Sequence, residues 1–182
     1  MRVVALIGVP GSGKTSIMQG IVQRFPFGFS WKLLHGRRSD PARFMLGIYR
    51  GMYFDGTDQL SFQAASSFRQ WLPSIPRDAV VVFEGDRLAN EKLFEFCLQH
   101  GTLELVLVDT LPDVLERRRS KRAKEVGKAQ DPIWLSGRTS KVNRLACAYF
   151  GRIQRWSNNT KKELAQNVSK LESLIFSAKE EL

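Results

Sequence analysis

A glycine-rich segment near the start of the chain has the spacing of a phosphate-binding loop. Residues 8–15 read GVPGSGKT and fit the pattern G-x-x-x-x-G-K-[ST]. Glycines let successive backbone N–H groups curve around phosphate oxygens, and the start of a following helix adds partial positive charge. We therefore expect a nucleoside triphosphate here, with Lys14 at its β- and γ-phosphates and the Thr15 hydroxyl on Mg²⁺. A turn that binds nothing is the alternative. The predicted nucleotide-binding residues are Gly8, Gly11, Ser12, Gly13, Lys14, Thr15 and Ser16.

Two acidic residues follow a second apolar run, in the stretch VVVFEGDR at residues 80–87. A buried parallel strand there would bring Glu84 and Asp86 to the carboxyl edge of the sheet, where ligands bind in open α/β folds. A carboxylate at that edge can hold Mg²⁺ or accept the proton of an attacking hydroxyl. We predict Glu84 as a metal ligand together with Thr15, and Arg87 as a partner of phosphate charge. Capping of the next helix is the alternative role for Asp86.

The spacing of apolar residues predicts strands that alternate with helices. Predicted strands cover residues 3–7, 29–34, 80–83 and 103–108. Predicted helices cover 14–24, 58–72, 88–100, 112–126, 139–156 and 160–179, and Asp40-Pro41 could open another. Residues 127–137 lack periodicity, and no clear strand follows them. The order predicts a three-layer α/β fold with a parallel sheet of four or five strands. The apolar stripe of the last helix could pack on its own sheet or on a second copy, so the oligomeric state stays open.

Length and composition favour one globular domain over residues 1–182. Apolar residues make up 43% and charged residues 25%, and no apolar run is long enough to cross a bilayer. The two cysteines have neither metal nor redox spacing, which favours reduced thiols and a cytoplasmic location. Within the domain we expect a lid-like basic segment at about residues 115–140 and a C-terminal helix within residues 158–182.

The net charge of +10 is concentrated in one third of the chain. Residues 115–162 carry 14 Lys and Arg against three acidic residues, whereas the remainder is close to neutral. Such a segment favours a polyanionic partner or a charge-dense site. A strand of nucleic acid requires a row of cations, and aromatic residues among them could stack on bases. Trp134, Tyr149 and Trp156 are interleaved in this way, with a place in the core as their alternative.

The motif order resembles that of the P-loop kinases of nucleotides, nucleosides and polynucleotides. The resemblance rests on GVPGSGKT, VVVFEGDR and VDTLPDVLERRRSKR, and covers about residues 1–126. It implies ATP as donor, Mg²⁺ as cofactor and a helix that carries an arginine-rich lid. Arginines of this helix would then close over the triphosphate, and Arg118 and Arg122 share one helical face. A solvated basic face is the alternative for any one of the candidates, which are Arg117, Arg118, Arg119 and Arg122.

Two further stretches, LGIYRGMYFDGTDQLS at residues 46–61 and GRTSK at 137–141, resemble phage-encoded kinases that phosphorylate a hydroxymethylated pyrimidine in DNA. This resemblance implies 5-hydroxymethyluracil in DNA as acceptor, a base that leaves the stack, and the host cytoplasm as location. Asp55 or Asp58 could accept the hydroxyl proton, and Asp58 could equally cap the helix that follows. The predicted acceptor contacts are Arg37, Arg38, Arg50, Tyr53, Asp55, Arg87, Arg138 and Lys141.

The function predicted from these patterns is Mg²⁺-dependent transfer of the γ-phosphoryl group of ATP to a hydroxyl in nucleic acid. One alternative is a nucleoside or nucleotide kinase that acts on a free acceptor. Another is a nucleotide-dependent binding module whose ATP hydrolysis is incidental. The predicted catalytic residues are Lys14, Asp58, Glu84, Asp86, Arg118 and Arg122.

Overall fold

A computed structural model describes residues 1–51 and 55–177 of the chain. Its strands are β1 (Arg2–Ile7), β2 (Phe27–Trp31), β3 (Leu34–Asp40), β4 (Arg43–Leu46), β5 (Val80–Glu84), β6 (Thr102–Asp109) and β7 (Ile153–Ser157). Its helices are α1 (Lys14–Ile21), α2 (Ala64–Trp71), α3 (Glu91–His100), α4 (Pro112–Val126), α5 (Pro132–Ala148) and α6 (Lys161–Phe176). The predicted α/β fold class is confirmed. No helix in this part of the chain is long and apolar enough to span a membrane.

The described residues form one sheet of seven strands in the order β2-β3-β4-β5-β1-β6-β7. The five strands from β4 to β7 in this order run parallel to one another, and β2 and β3 add an antiparallel hairpin at one edge. The central strand β1 lies between β5 and β6, so the loop that follows β1 emerges in the middle of the carboxyl edge. Open parallel sheets bind ligands at this part of the carboxyl edge.

Helices cover both faces of the sheet and bury an apolar cluster on each. On one face, α2 and α3 pack Phe68 and Phe94 against Phe83 of the sheet. On the other face, α1 and α6 pack Ile17 and Leu171 against strands β1, β5 and β6. Because β1 and β5 are buried on both faces, their near-continuous apolar sequences fit their position. The apolar stripe of α6 thus packs on its own sheet.

Local signals fix where several helices begin and end. The side chain of Asn90 caps α3 by accepting from Leu93 N at 3.0 Å, and Asp131 caps α5 by accepting from Trp134 N at 2.8 Å. Thr160 forms a capping box with the third residue of α6. Pro112 occupies the first turn of α4, and Gly127 ends that helix with φ 73°.

The sheet contains more strands than the four or five predicted. The predicted strand 29–34 is the middle of a hairpin, since β2 ends at Trp31 and β3 begins at Leu34. The prediction that no strand follows residue 137 is wrong, because β7 pairs parallel with β6. Within β7, only Ile153 and Trp156 pack against the core, and polar residues separate them. This edge strand therefore has no apolar run from which it could be predicted.

Three predicted helices have different bounds. Asp40-Pro41 forms the turn between β3 and β4, in which the Asp40 carboxylate accepts from Ala42 N at 2.8 Å, and no helix starts there. The predicted helix 58–72 is a short 3₁₀ turn at Thr57–Gln59 followed by α2. In place of the predicted helix 139–156, α5 begins and ends earlier in the chain. The Asp131 cap and Pro132 start this helix within the stretch that lacks periodicity.

Candidate active site

A cavity of about 980 Å³ lies at the carboxyl edge of the sheet. The loop between β1 and α1 forms one side, and the end of β5 forms the floor with Glu84 and Asp86. Helices α4 and α5 contribute cationic side chains, among them Arg122 and Lys141. The structure thus brings most of the predicted site residues to one cavity, although they come from five separate stretches of the chain.

The glycines of the loop are required by its geometry. Gly11 and Gly13 have φ of 91° and 94°, a left-handed conformation that side chains other than glycine rarely adopt. A Cβ on Gly8 would lie 2.7 Å from the Ser12 hydroxyl oxygen and from a β6 carbonyl. Gly13 is the N-cap of α1, so the helix begins at Lys14 with its free N–H groups directed to the cavity. This is the local geometry that the sequence pattern predicts for a phosphate site.

Lys14 folds along the loop and lines the cavity. Its Nζ donates to Gly8 O at 2.7 Å and to Val9 O at 3.2 Å. Burial lowers the pKa of the Lys14 ammonium, and the nearby carboxylate of Glu84 opposes this effect. The side chain is therefore held in the concave face of the loop, where it can reach phosphates cradled by the backbone.

Thr15 and Glu84 place two oxygen donors side by side. The Thr15 hydroxyl donates to Glu84 Oε1 at 3.0 Å, and Glu84 is only 2% exposed. Burial raises the pKa of the Glu84 carboxyl to about 7, although Lys14 opposes the shift. Mg²⁺ prefers hard oxygen ligands and commonly uses one or two protein groups together with phosphate oxygens. The chemistry of this donor pair fits Mg²⁺, and a cation there would relieve the cost of the buried carboxylate.

Three side chains converge on the carbonyl oxygen of Ser12, behind the phosphate-binding loop. Asn158 Nδ2 donates at 2.7 Å, Thr110 Oγ1 at 3.2 Å and Arg118 NH1 at 3.2 Å. The donors come from the end of β7, the end of β6 and α4, and Asn158 is 1% exposed. Sequence reasoning missed Thr110 and Asn158. Thr110 lies two residues after the predicted strand 103–108, which is a usable signal, whereas Asn158 follows β7, for which no strand was predicted.

The arginines of α4 contact the loop from outside. Arg118 also donates to Gly11 O at 3.3 Å, and Arg119 Nε donates to Pro10 O at 2.8 Å. Arg122 lines the cavity, and burial lowers the pKa of all three guanidinium groups. Two of the four arginine candidates of the lid, Arg118 and Arg119, therefore hold loop carbonyls, Arg118 and Arg122 line the cavity, and Arg117 is exposed.

The other side of the cavity holds Asp58 and Asp86. Asp58 Oδ1 accepts from Asp86 N at 2.7 Å, and Asp86 forms ion pairs with Lys141, at 2.7 Å, and with Arg138. Burial and the neighbouring Arg138 lower the pKa of Lys141 to about 8. The charge of Asp58 also acts on Lys14, Glu84, Arg122 and Lys141, which places it centrally. Asp58 does not cap α2, whose N-cap is Gln63, and Asp86 does not cap α3, whose N-cap is Asn90.

Asp55 is a structural anchor of the loop that precedes α2. It is 2% exposed, and its Oδ2 accepts from the backbone N–H groups of Arg50 and Gly51, both at 2.8 Å. The side chains of Gln19 and Gln59 donate to it at 3.2 Å. Its oxygens are thus committed to holding the loop, which favours Asp58 over Asp55 as the proton acceptor. The predicted contact Tyr53 lies outside the described residues.

The remaining predicted contacts are divided between the cavity and more distant parts of the sheet. Arg87 lines the cavity, whereas Arg37 and Arg38 lie within β3 and do not line it. Arg37 Nε donates to Phe25 O at 2.6 Å, in line with a structural role. Trp156 is buried on the α6 face and Tyr149 packs on Phe94, so neither forms the row of exposed rings considered for base stacking.

Several solved structures of kinases are similar to this chain at low sequence identity. A sugar kinase from Janibacter sp. HTCC2649 matches with a TM-score of 0.51 at 14% identity, over 95% of this chain and 93% of that chain. A shikimate kinase from Bacteroides thetaiotaomicron matches with a TM-score of 0.46 at 16% identity, over 94% and 97%. A gluconokinase from Sinorhizobium meliloti 1021 matches with a TM-score of 0.46 at 13% identity, over 96% of both. No curated protein sequence matches significantly.

The family comparison is more specific than these fold likenesses. A family model described as P-loop Nucleotide Kinase3 matches residues 1–174, which is nearly the whole chain. The match includes the phosphate-binding loop, the acidic end of β5 and both basic helices. The chain is an ATP-dependent kinase and belongs to the P-loop Nucleotide Kinase3 family.

Proposed function

We propose that this kinase transfers the γ-phosphoryl group of ATP to a hydroxyl group in nucleic acid, with the hydroxymethyl group of 5-hydroxymethyluracil in DNA as the acceptor. The observation that carries the proposal is that one cavity is lined both by the phosphate-binding loop with Lys14 and by an acidic residue among cations. Asp58 lines this cavity together with Arg87, Arg138 and Lys141. Phosphoryl transfer requires mainly such positioning and neutralisation of charge.

On the donor side, the backbone N–H groups at the start of α1 bind the phosphates and Lys14 neutralises them. Thr15 and Glu84 would hold Mg²⁺, which when bound supplies positive charge at the phosphate oxygens. Arg122, on the cavity wall, stabilises negative charge as it develops on the transferred group. Thr110, Arg118 and Asn158 keep the loop in its binding shape through Ser12 O.

On the acceptor side, Asp58 accepts the proton of the attacking hydroxyl. The hydroxyl oxygen forms a bond to the γ-phosphorus while the bond from that phosphorus to the β,γ-bridging oxygen breaks, and ADP leaves. The hydrogen bond from Asp86 N to Asp58 Oδ1 fixes the carboxylate of Asp58. Lys141 and Arg138 in turn hold Asp86, so this group of four residues orients the proton acceptor.

A DNA acceptor is supported by the distribution of charge. Exposed cations continue from the cavity along α4, where Lys121 lines the cavity and Arg117 and Lys124 are exposed. Residues 115–162 carry the excess positive charge of the chain. A polyanion that reaches the cavity would cross this surface and gain affinity by counterion release.

A free nucleoside or nucleotide is the second candidate acceptor. Arg118 and Arg119 are engaged with loop carbonyls, and Arg138 and Lys141 with Asp86, which leaves fewer cations for a nucleic-acid backbone. The family description also names nucleotide kinases. Under this candidate, the same donor side and Asp58 act on a small molecule enclosed in the cavity.

The test is a survey of acceptors with γ-labelled ATP and Mg²⁺. It compares 5-hydroxymethyluracil in duplex and single-stranded DNA, the free nucleoside and its monophosphate, and unmodified DNA. We expect label on modified DNA, with kcat/KM falling steeply as salt is added. Label on the nucleoside or monophosphate with little salt dependence would instead establish the second candidate. Release of free phosphate alone would contradict both.

A further inference from the structure

An exposed phenylalanine contacts an arginine of the cavity wall and has no role in the transfer step. Phe62 lies in the turn between the 3₁₀ helix at Thr57–Gln59 and α2, and its side chain is 82% exposed. Arg87, which lines the cavity, places its guanidinium carbon 3.6 Å from the centroid of the Phe62 ring. A second pair of this kind joins Arg138 to Trp134, also on the cavity wall, at 5.2 Å.

The Phe62 ring has a defined partner although it is not buried. Arg87 Nε donates to Leu60 O at 3.2 Å, two residues before Phe62, and the guanidinium covers one face of the ring. The same arginine directly follows Asp86, which binds Asp58. The ring is therefore connected through Arg87 to the acceptor side of the site. Single exposed apolar residues are common, but this one packs against an arginine that lines the cavity while most of its ring stays exposed.

We propose that Phe62 enters the base stack of duplex DNA at the position that the target base leaves when it turns into the cavity. This inference rests on the proposed function, because only a base within a duplex leaves a gap in a stack. Extruding a base costs stacking and pairing energy, and an inserted apolar side chain offsets part of that cost. Arg87 behind the ring adds positive charge where the DNA backbone passes, and strengthens the ring's position by a cation–π contact.

The experiment compares Phe62→Ala with the unchanged protein on two acceptors. One oligonucleotide with a single 5-hydroxymethyluracil is offered single-stranded and annealed to its complement, with γ-labelled ATP in both cases. The control variant is Phe150→Ala, because Phe150 is similarly exposed, at 76%, but lies in a different part of the chain, in the 3₁₀ turn Phe150–Arg152 that precedes β7. Phe62→Leu serves as the conservative variant that retains an apolar wedge.

For Phe62→Ala we expect kcat/KM on the duplex to fall between about fivefold and 150-fold. This range corresponds to the roughly 1–3 kcal/mol that one aromatic–base stack contributes. Activity on the single strand should change less than about twofold, since no stack has to be opened, and it also reports that the variant is folded. Phe62→Leu should retain most of the duplex activity, and Phe150→Ala should leave both activities unchanged.

Each other outcome has a defined meaning. Equal losses on duplex and single strand, or no loss on either, would overturn the role of Phe62 and leave the proposed function standing. If the unchanged protein labels neither DNA form, the proposed function fails and the inference about Phe62 falls with it.

Discussion

The buried carboxyl of Glu84 leads to a quantitative prediction about pH and stability. Its pKa is about 7 in the folded protein, against an ordinary value of 4.5, because burial disfavours its charged form. A folded-state pKa above the unfolded one stabilises the fold at low pH, and this contribution is lost as pH rises through 7. Each pKa unit corresponds to about 1.4 kcal/mol, so we expect Glu84 to lower the free energy of unfolding by about 2 to 3 kcal/mol between pH 5 and pH 8.

The assay is urea unfolding followed by circular dichroism at pH 5, 6.5 and 8, without nucleotide or Mg²⁺. Glu84→Gln keeps the shape of the side chain and removes its titration, so the difference between the two proteins isolates this group. The variant should be more stable relative to the unchanged protein at pH 8 than at pH 5, by that same amount. For Glu116→Gln, at an exposed position on α4, the free energy of unfolding should depend on pH as it does for the unchanged protein. Parallel curves for Glu84→Gln as well would refute the reasoning.

Three substitutions test the transfer mechanism. Lys14→Ala should keep the circular dichroism spectrum while kcat falls by several orders of magnitude, because the phosphates lose their buried cation. Asp58→Asn should lower kcat by roughly 10²- to 10⁴-fold, the usual effect of a general base, with the KM for ATP nearly unchanged; an unchanged kcat would exclude Asp58 as the base. Asn158→Ala should raise the KM for ATP about fivefold, since one hydrogen bond to Ser12 O contributes about 1 kcal/mol; steady-state kinetics at saturating acceptor decides this.

The phosphate side of the site could be predicted from the sequence because its determinants are contiguous. The apolar run of β1, the glycines and the start of α1 follow one another, and each residue type has a local reason. Glu84 could be predicted for a similar reason, because it ends a run of apolar residues that forms part of the core. Thr15 and Glu84 contact each other because β1 and β5 are neighbouring parallel strands. A parallel α/β order predicts that residues at the carboxyl ends of such strands share one edge of the sheet.

The bracing of the loop could not be predicted, because it depends on contacts between residues far apart in sequence. Asn158 follows β7, a short edge strand whose pairing with β6 is what defines it. The spacing of apolar residues indicates which face of one element is buried. It does not indicate which strand that element will pair with. For the same reason, the sequence left open whether Asp55 or Asp58 accepts the proton. Gln19, on α1, donates to Asp55 across 36 positions of sequence, and no local pattern indicates such a contact.

The basic segment shows why a count of charge does not determine what the charge binds. Arg118 and Arg119 donate to the carbonyl oxygens of loop peptides. Part of the positive charge of α4 is therefore engaged with the loop, although Arg118 also lines the cavity, as Arg122 does. Because Arg118 shares Ser12 O with Thr110 and Asn158, displacing α4 from the loop removes one of three donors and leaves the other two in place. Thr110 and Asn158, at the ends of β6 and β7, would still hold Ser12 O if α4 moved, but such a movement would break the three charge-assisted hydrogen bonds that Arg118 and Arg119 donate to Pro10 O, Gly11 O and Ser12 O.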